Sequence, residues 1–135
     1  RRARGSTRAL IAACLLVAGV LRATLSADHF TLAWRHSVEK TRWEEHYRVD
    51  GRGIVLEESR VEGFGAGMEP PAGAILADGM WRWRPNLGPL PEVRLTSSPY
   101  TDDYRIGWAA RCAGLRELVP GDVDVVTVTP CPAPG

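Results

Sequence analysis

No stretch of this chain sustains the i, i+3, i+4, i+7 stripe of an amphipathic helix, and no unit recurs at a fixed period. Long apolar runs are missing too. The longest uncharged run, Ala9 to Leu21, is thirteen residues; at about 1.5 Å per helical residue it falls well short of the ~30 Å hydrocarbon core of a bilayer. Basic charge is scarce beyond the first thirty residues. The formal charge is +1, but Arg1, Arg2, Arg4, Arg8 and Arg22 all precede Asp28, which leaves 12 of the 17 Arg and Lys against all 16 Asp and Glu. A domain of net charge near −4 lacks the basic stripe that phosphate binding needs, so no nucleic acid partner is expected. Cysteine is sparse, and no His accompanies one at a zinc-ligand spacing.

What precedes Asp28 has the layout of a targeting segment, with Arg-rich residues 1–8 ahead of the short apolar run. Residues 1–27 are therefore expected to be a signal peptide or N-terminal membrane anchor, a tether to the membrane if uncleaved, and residues 28–135 a single β domain. Ile11-Ala12-Ala13-Cys14 imitates a lipoprotein box, but most of the apolar run follows the cysteine instead of preceding it. With Cys14 assigned to the leader, Cys112 and Cys131 are the remaining pair. An even pair in an oxidising compartment predicts a disulfide between them.

From Asp28 onward the punctuation is that of an all-β fold, an antiparallel β-sandwich or small barrel of seven or eight short strands. Candidate strands are His29 to His36, Arg42 to Asp50, Gly53 to Val61, Gly79 to Arg84, Glu92 to Ser97, Asp103 to Ala109, Gly114 to Leu118 and Asp122 to Thr129. Each is rich in β-branched or aromatic residues and bounded by Gly, Pro, Asp or Ser. Asp50-Gly51 and Asp78-Gly79 read as turns, and Pro85, Pro89 and Pro91 stiffen a connector.

Alternation puts Phe30, Leu32, Trp34 and His36 on one face of the first of these strands, and Trp43, Glu45, Tyr47 and Val49 on one face of the second. A turn centred between Glu39 and Lys40 sets His36 opposite Trp43 and Trp34 opposite Glu45, so that His36 and Glu45 are diagonal neighbours within about 7–8 Å. A carboxylate on an apolar face needs a partner or a shifted pKa. His36, Ser37 and Glu45 are accordingly candidate binding residues. A second cluster, Gly63 to Gly73, has the spacing G-x-G-x-G, and Pro70-Pro71 blocks the helix that a phosphate loop would require. Gly65 and Gly67 allow close backbone approach there, and Glu69 is its one ionisable member. Trp81 and Trp83 alternate with Arg82 and Arg84, as in a half-buried strand. Ser37 and His36 lie on opposite sides of a strand, a poor geometry for nucleophile and base, so no catalytic residue and no enzyme activity are expected.

Three segments then carry a resemblance: Phe30-Thr31-Leu32-Ala33-Trp34-Arg35-His36-Ser37-Val38-Glu39-Lys40-Thr41-Arg42-Trp43-Glu44-Glu45, Gly65-Ala66-Gly67-Met68-Glu69-Pro70-Pro71, and Gly79-Met80-Trp81 with Trp83. In that order they resemble the signature of the domain-of-unknown-function 1850 family, over nearly all of the chain after the leader. Its members are small bacterial proteins often encoded beside the solute-binding protein and fused membrane subunits of TAXI-class tripartite ATP-independent periplasmic (TRAP) transporters. The resemblance implies an accessory role in the periplasm, at the extracytoplasmic face of the inner membrane. It supplies neither a catalytic residue nor a substrate. Two readings stand: a non-enzymatic domain that docks on a transporter membrane subunit or solute-binding protein through the 36–45 hairpin and the 65–71 loop, and a small-ligand or divalent-metal module using His36, Glu45 and Glu69. Neither calls for an organic cofactor.

Overall fold

The structure, a computed structural model, describes residues 11–36, 40–63, 69–98 and 100–133. In chain order the elements are β1 (Ile11–Val17), β2 (Val20–Leu25), β3 (His29–Arg35), β4 (Arg42–Asp50), β5 (Gly53–Val61), β6 (Ile75–Ala77), β7 (Met80–Trp83), β8 (Val93–Thr96), β9 (Arg105–Trp108), β10 (Arg111–Gly114), a single helical turn α1 (Leu115–Leu118) and β11 (Val125–Pro132). They form two antiparallel sheets, one of four strands in the order β2-β1-β11-β8 and one of seven in the order β10-β9-β3-β4-β5-β7-β6. The all-β class and the sheet-on-sheet design follow the sequence reading, and the sheets do not close into a barrel. No helix among the described residues is long and apolar enough to cross a membrane.

The expected leader is where the structure departs most from the sequence pattern. Residues 1–10 lie outside the described residues, but from Ile11 the apolar run supplies β1 and the first two residues of β2, joined by a two-residue turn at Ala18 and Gly19 with φ of 49° and 80°. β1 lies between β2 and β11, and its Ala12, Ala13 and Leu15 have no exposed surface. The seven apolar residues of β1 suit a covered inner strand as well as part of a leader, because both are continuous apolar segments. The predicted disulfide changes with it. Cys14 bonds Cys131 across β1 and β11, while Cys112 is a free, exposed thiol on β10, in the other sheet. The expected Cys112–Cys131 bond is not formed, because β1 brings Cys14 beside Cys131 while Cys112 belongs to the other sheet.

Other boundaries shift less. β4 and β5 have the predicted ends, β6 and β10 were not anticipated, and the expected strand from Gly114 to Leu118 is a helical turn. Polar groups dictate that turn: the Gly114 N–H donates to Glu117 Oε1 (3.0 Å) and the Arg116 N–H to Asp103 Oδ2 (2.9 Å). The proline-rich connector also makes an unexpected bridge, in which Ile54 and Leu90 exchange two backbone hydrogen bonds of 2.8 Å. Gly53 permits it, since a Cβ there would lie 2.5 Å from the Leu90 carbonyl oxygen.

The core lies between the sheets. Ala13 and Leu15 of β1, Leu95 of β8 and Val126 and Val128 of β11 meet Phe30, Leu32, Tyr47, Val49, Ile54, Leu56 and Ile106 from the larger sheet. A bulge in β5 lets that strand keep one face inward along its length. Glu57 is the extra residue between the pairs Tyr47–Leu56 and His46–Glu58, so even-numbered Ile54 and Leu56 and odd-numbered Ser59 and Val61 all point in.

The β9–β10 hairpin carries identifiable strain. Its two-residue turn, Ala109-Ala110, has φ of 45° and 62°, the left-handed conformation in which an L side chain costs about 1–2 kcal/mol. Asn-Gly is the pair that such turns favour. The double substitution Ala109→Asn with Ala110→Gly is expected to stabilise the domain by about 1 kcal/mol and raise the melting temperature by several degrees. Thermal unfolding followed by circular dichroism checks this, and an unchanged or lower midpoint contradicts it.

Candidate functional site

The register of the larger sheet builds the site. Across strands, Ile106, Leu32, Glu45, Ser59 and Trp83 form one inward row, and Trp34, Trp43, Val61 and Trp81 form the next. The first core rows are fully covered by the smaller sheet. Beyond them the aromatic residues are half-buried, and they line the open end of the inner face. Trp34 and Trp43 stack with ring centroids 6.2 Å apart, and Tyr104 meets Trp34 edge-on at 5.6 Å with 60° between the planes. Among the described residues the buried Trp43 indole N–H has no acceptor.

Glu45 is the carboxylate that the two inward rows carry among the described residues. Tyr47 donates its hydroxyl hydrogen to Glu45 Oε1 at 2.7 Å, and among the described residues no ion pair reaches the carboxylate. Burial raises the Glu45 pKa above its ordinary value, partly offset by the Tyr47 hydrogen bond. Tyr47 is pushed up in turn by its own burial and by the nearby Glu45 charge. Tyr104 is raised by burial and by Glu45 as well, which places it within the electrostatic reach of that carboxylate. Period-2 alternation explains why no arginine serves Glu45. Arg42, Glu44, His46 and Arg48 point outward, where Glu44 pairs with Arg42 (3.0 Å), His46 (3.3 Å) and Arg60 (4.0 Å), and Arg60 also pairs with Glu58.

The sign of the pH effect follows. A carboxyl whose folded pKa is raised stabilises the fold below its unfolded value near 4.5 and loses that contribution as pH rises through the folded value. Glu45→Gln, which keeps an acceptor for Tyr47 without the charge, is expected to melt higher than the native chain at pH 8 and to match it more closely at pH 4. Equal midpoints at both pH values contradict the assignment.

The predicted site residues are only partly brought together. Glu45 faces inward as expected, but the β3–β4 hairpin closes one position earlier in the chain, so Glu45 lies opposite Leu32 and Trp34 opposite Trp43. His36 is hydrogen-bonded through its backbone to Thr41 (2.8 Å) at the hairpin's end. Four residues of strand, about 13 Å, then separate its position from the Glu45 row, and the expected diagonal pair is not formed. Glu69 is exposed. Ser37, Gly65 and Gly67 lie outside the described residues. Among the described residues no three His, Cys, Asp or Glu gather as metal ligands. Sequence reasoning missed Trp43 and Tyr104 as partners of Trp34, although the aromatic residues of neighbouring strands were the available signal. It also missed a cleft of about 440 Å³ at the same end, whose walls include Trp34, Arg35, His36, Thr101, Asp102 and Tyr104.

Compared with known families, residues 30–115 match the domain of unknown function DUF1850, so the chain belongs to that family. The matched span starts in β3 and ends at the first residue of α1; β1, β2 and β11 lie outside it. No curated protein and no solved structure matches the chain.

Proposed function

We propose that this member of the DUF1850 family is a non-enzymatic binding domain that works outside the cytoplasm, as an accessory of a TAXI-type tripartite ATP-independent periplasmic transporter. Its recognition site is the open end of the inner face, around Trp34, Trp43, Glu45 and Tyr104. The observation that carries this reading is a half-buried carboxylate with a phenol as its one hydrogen-bond donor among the described residues, set among indole rings. Such a group costs stability, and an arrangement that costs stability is retained where a bound partner uses it. The Cys14–Cys131 bond supports an oxidising location outside the cytoplasm. The setting beside a transporter rests on the family resemblance.

Purification of the tagged full chain from native membranes tests the reading. The expected result is recovery of the transporter's membrane subunit or solute-binding protein with the native chain, and its loss with Trp43→Ala. Recovery of the chain alone, from membranes that contain the transporter, overturns it.

A further inference from the structure

We infer that two copies of this chain pair through the open edge of β6, about a two-fold axis at Leu76. Among the described residues the two sheets end in four edge strands, β2 and β8 in the smaller and β10 and β6 in the larger. An open edge is a template for another strand, and proteins commonly guard it with a charged side chain. β2 carries Arg22, β8 Arg94 and β10 Arg111, whereas β6 is Ile75-Leu76-Ala77. No charge guards it. Ile75 and Leu76 are 67% and 56% exposed, on opposite faces of the strand. The backbone is poised for the same contact. The Asp78-Gly79 turn has φ of 53° and 77°, the two left-handed residues of a type I′ hairpin, so Ala77 and Met80 are its hydrogen-bonded closing pair. One step on, Leu76 and Trp81 are a pair without mutual hydrogen bonds, which turns the Leu76 N–H and C=O to the open side.

A second β6 fits that edge. In an antiparallel pair centred on Leu76, the two Leu76 residues exchange both backbone hydrogen bonds, and Ile75 lies opposite Ala77 on either side of the axis. A residue on a two-fold axis meets its own like, so a charge there would face the same charge. β6 has none, and the charges that flank it, Asp78 and Arg82, are paired with each other at 3.2 Å. The axis also joins the row Trp34, Trp43, Val61, Trp81 and Leu76 to its copy, extending the apolar inner face across both chains. The contact is short. Three residues span about 10 Å, which keeps the buried area below the ~1,200 Å² of a standard stable interface and makes the dimer weak and reversible.

Sedimentation equilibrium of the purified full chain, from about 10 μM to about 1 mM, tests the pairing without any transporter or ligand. Cys112→Ser is present throughout, so that the exposed thiol cannot link two copies. The expected result is a weight-average mass that rises from one chain toward two and no further. Leu76→Lys should weaken the association at least tenfold, because it sets two ammonium groups against each other. Leu21→Lys on β2 is the control, since Leu21 is also 56% exposed and its change should leave the association as it was. Both variants should keep native circular dichroism. Without any change at the edge, the Leu76 amide hydrogen should exchange severalfold more slowly at the high concentration than at the low one, and this measurement decides if Leu76→Lys does not fold. A monomer at every concentration, a mass that grows past two chains, association that Leu76→Lys leaves intact, equal loss in both Lys variants, or Leu76 exchange that ignores concentration overturns the inference.

Discussion

A chain that starts at Asp28 is expected not to fold. Deleting residues 1–27 removes both β1 and β2, leaving only β11 and β8 of the smaller sheet, and with them go the buried Ala12, Ala13, Leu15 and Leu25. Burial of each leucine side chain is worth roughly 1.5–3 kcal/mol. Their loss also uncovers Val126, Val128 and Leu95 on the facing side of the core and leaves β11 with an unpaired edge. The disulfide disappears as well. Together these losses match the whole of a typical domain stability of about 5–15 kcal/mol. Circular dichroism and amide dispersion in NMR spectra measure the outcome: the shortened chain should show no cooperative melting. A folded protein beginning at Asp28 with an unchanged midpoint would show that the domain does not need β1 and β2. Intact mass of the protein recovered from cells reads the same issue in vivo, since a form that lacks Cys14 cannot carry the Cys14–Cys131 bond.

Breaking that bond alone is the second large effect. Cys14 and Cys131 are 117 residues apart, so their cross-link removes from the unfolded chain the freedom of nearly its whole length. For loops of about a hundred residues the loop-closure argument gives roughly 4–5 kcal/mol. Cys131→Ser is therefore expected to destabilise by about 4 kcal/mol, with Cys14→Ser close to it, because each removes one end of the same link. Cys112→Ser should change stability by less than about 0.5 kcal/mol, since that thiol is exposed and unbonded. Urea unfolding checks all three. Alkylation of the native protein without reductant should modify Cys112 alone. Modification of Cys14 or Cys131 under those conditions, or equal destabilisation by all three substitutions, would refute the pairing.

Several parts of the fold were readable because local chemistry decides them. β4 and β5 have the predicted ends, bounded by a turn in which the Asp50 carboxyl accepts the Arg52 N–H at 2.8 Å. That hydrogen bond, with the arginines nearby, holds the Asp50 pKa below its ordinary value. The inward faces of Phe30, Leu32 and Trp34, and of Glu45, Tyr47 and Val49, follow from alternation alone. Register was harder to read. Moving the hairpin closure by one position keeps Trp34 and Glu45 on the same face but changes which residue each one meets, and no side-chain pattern in the loop distinguishes the two choices. The bulge at Glu57 was invisible for the same reason, since an extra residue leaves no mark on composition.

Periodicity, turn chemistry and charge distribution, all properties of neighbours along the chain, determined that this protein is an antiparallel all-β domain with an acidic group turned inward among aromatic rings. Tertiary structure decided what those properties cannot encode: that the N-terminal apolar run is an inner strand, that Cys14 and not Cys112 meets Cys131, and that Glu45 has Tyr47 instead of His36 beside it. Each of these depends on which distant segments come together. That is fixed by the burial of whole faces against one another, and a one-dimensional pattern of apolar residues is compatible with more than one such burial.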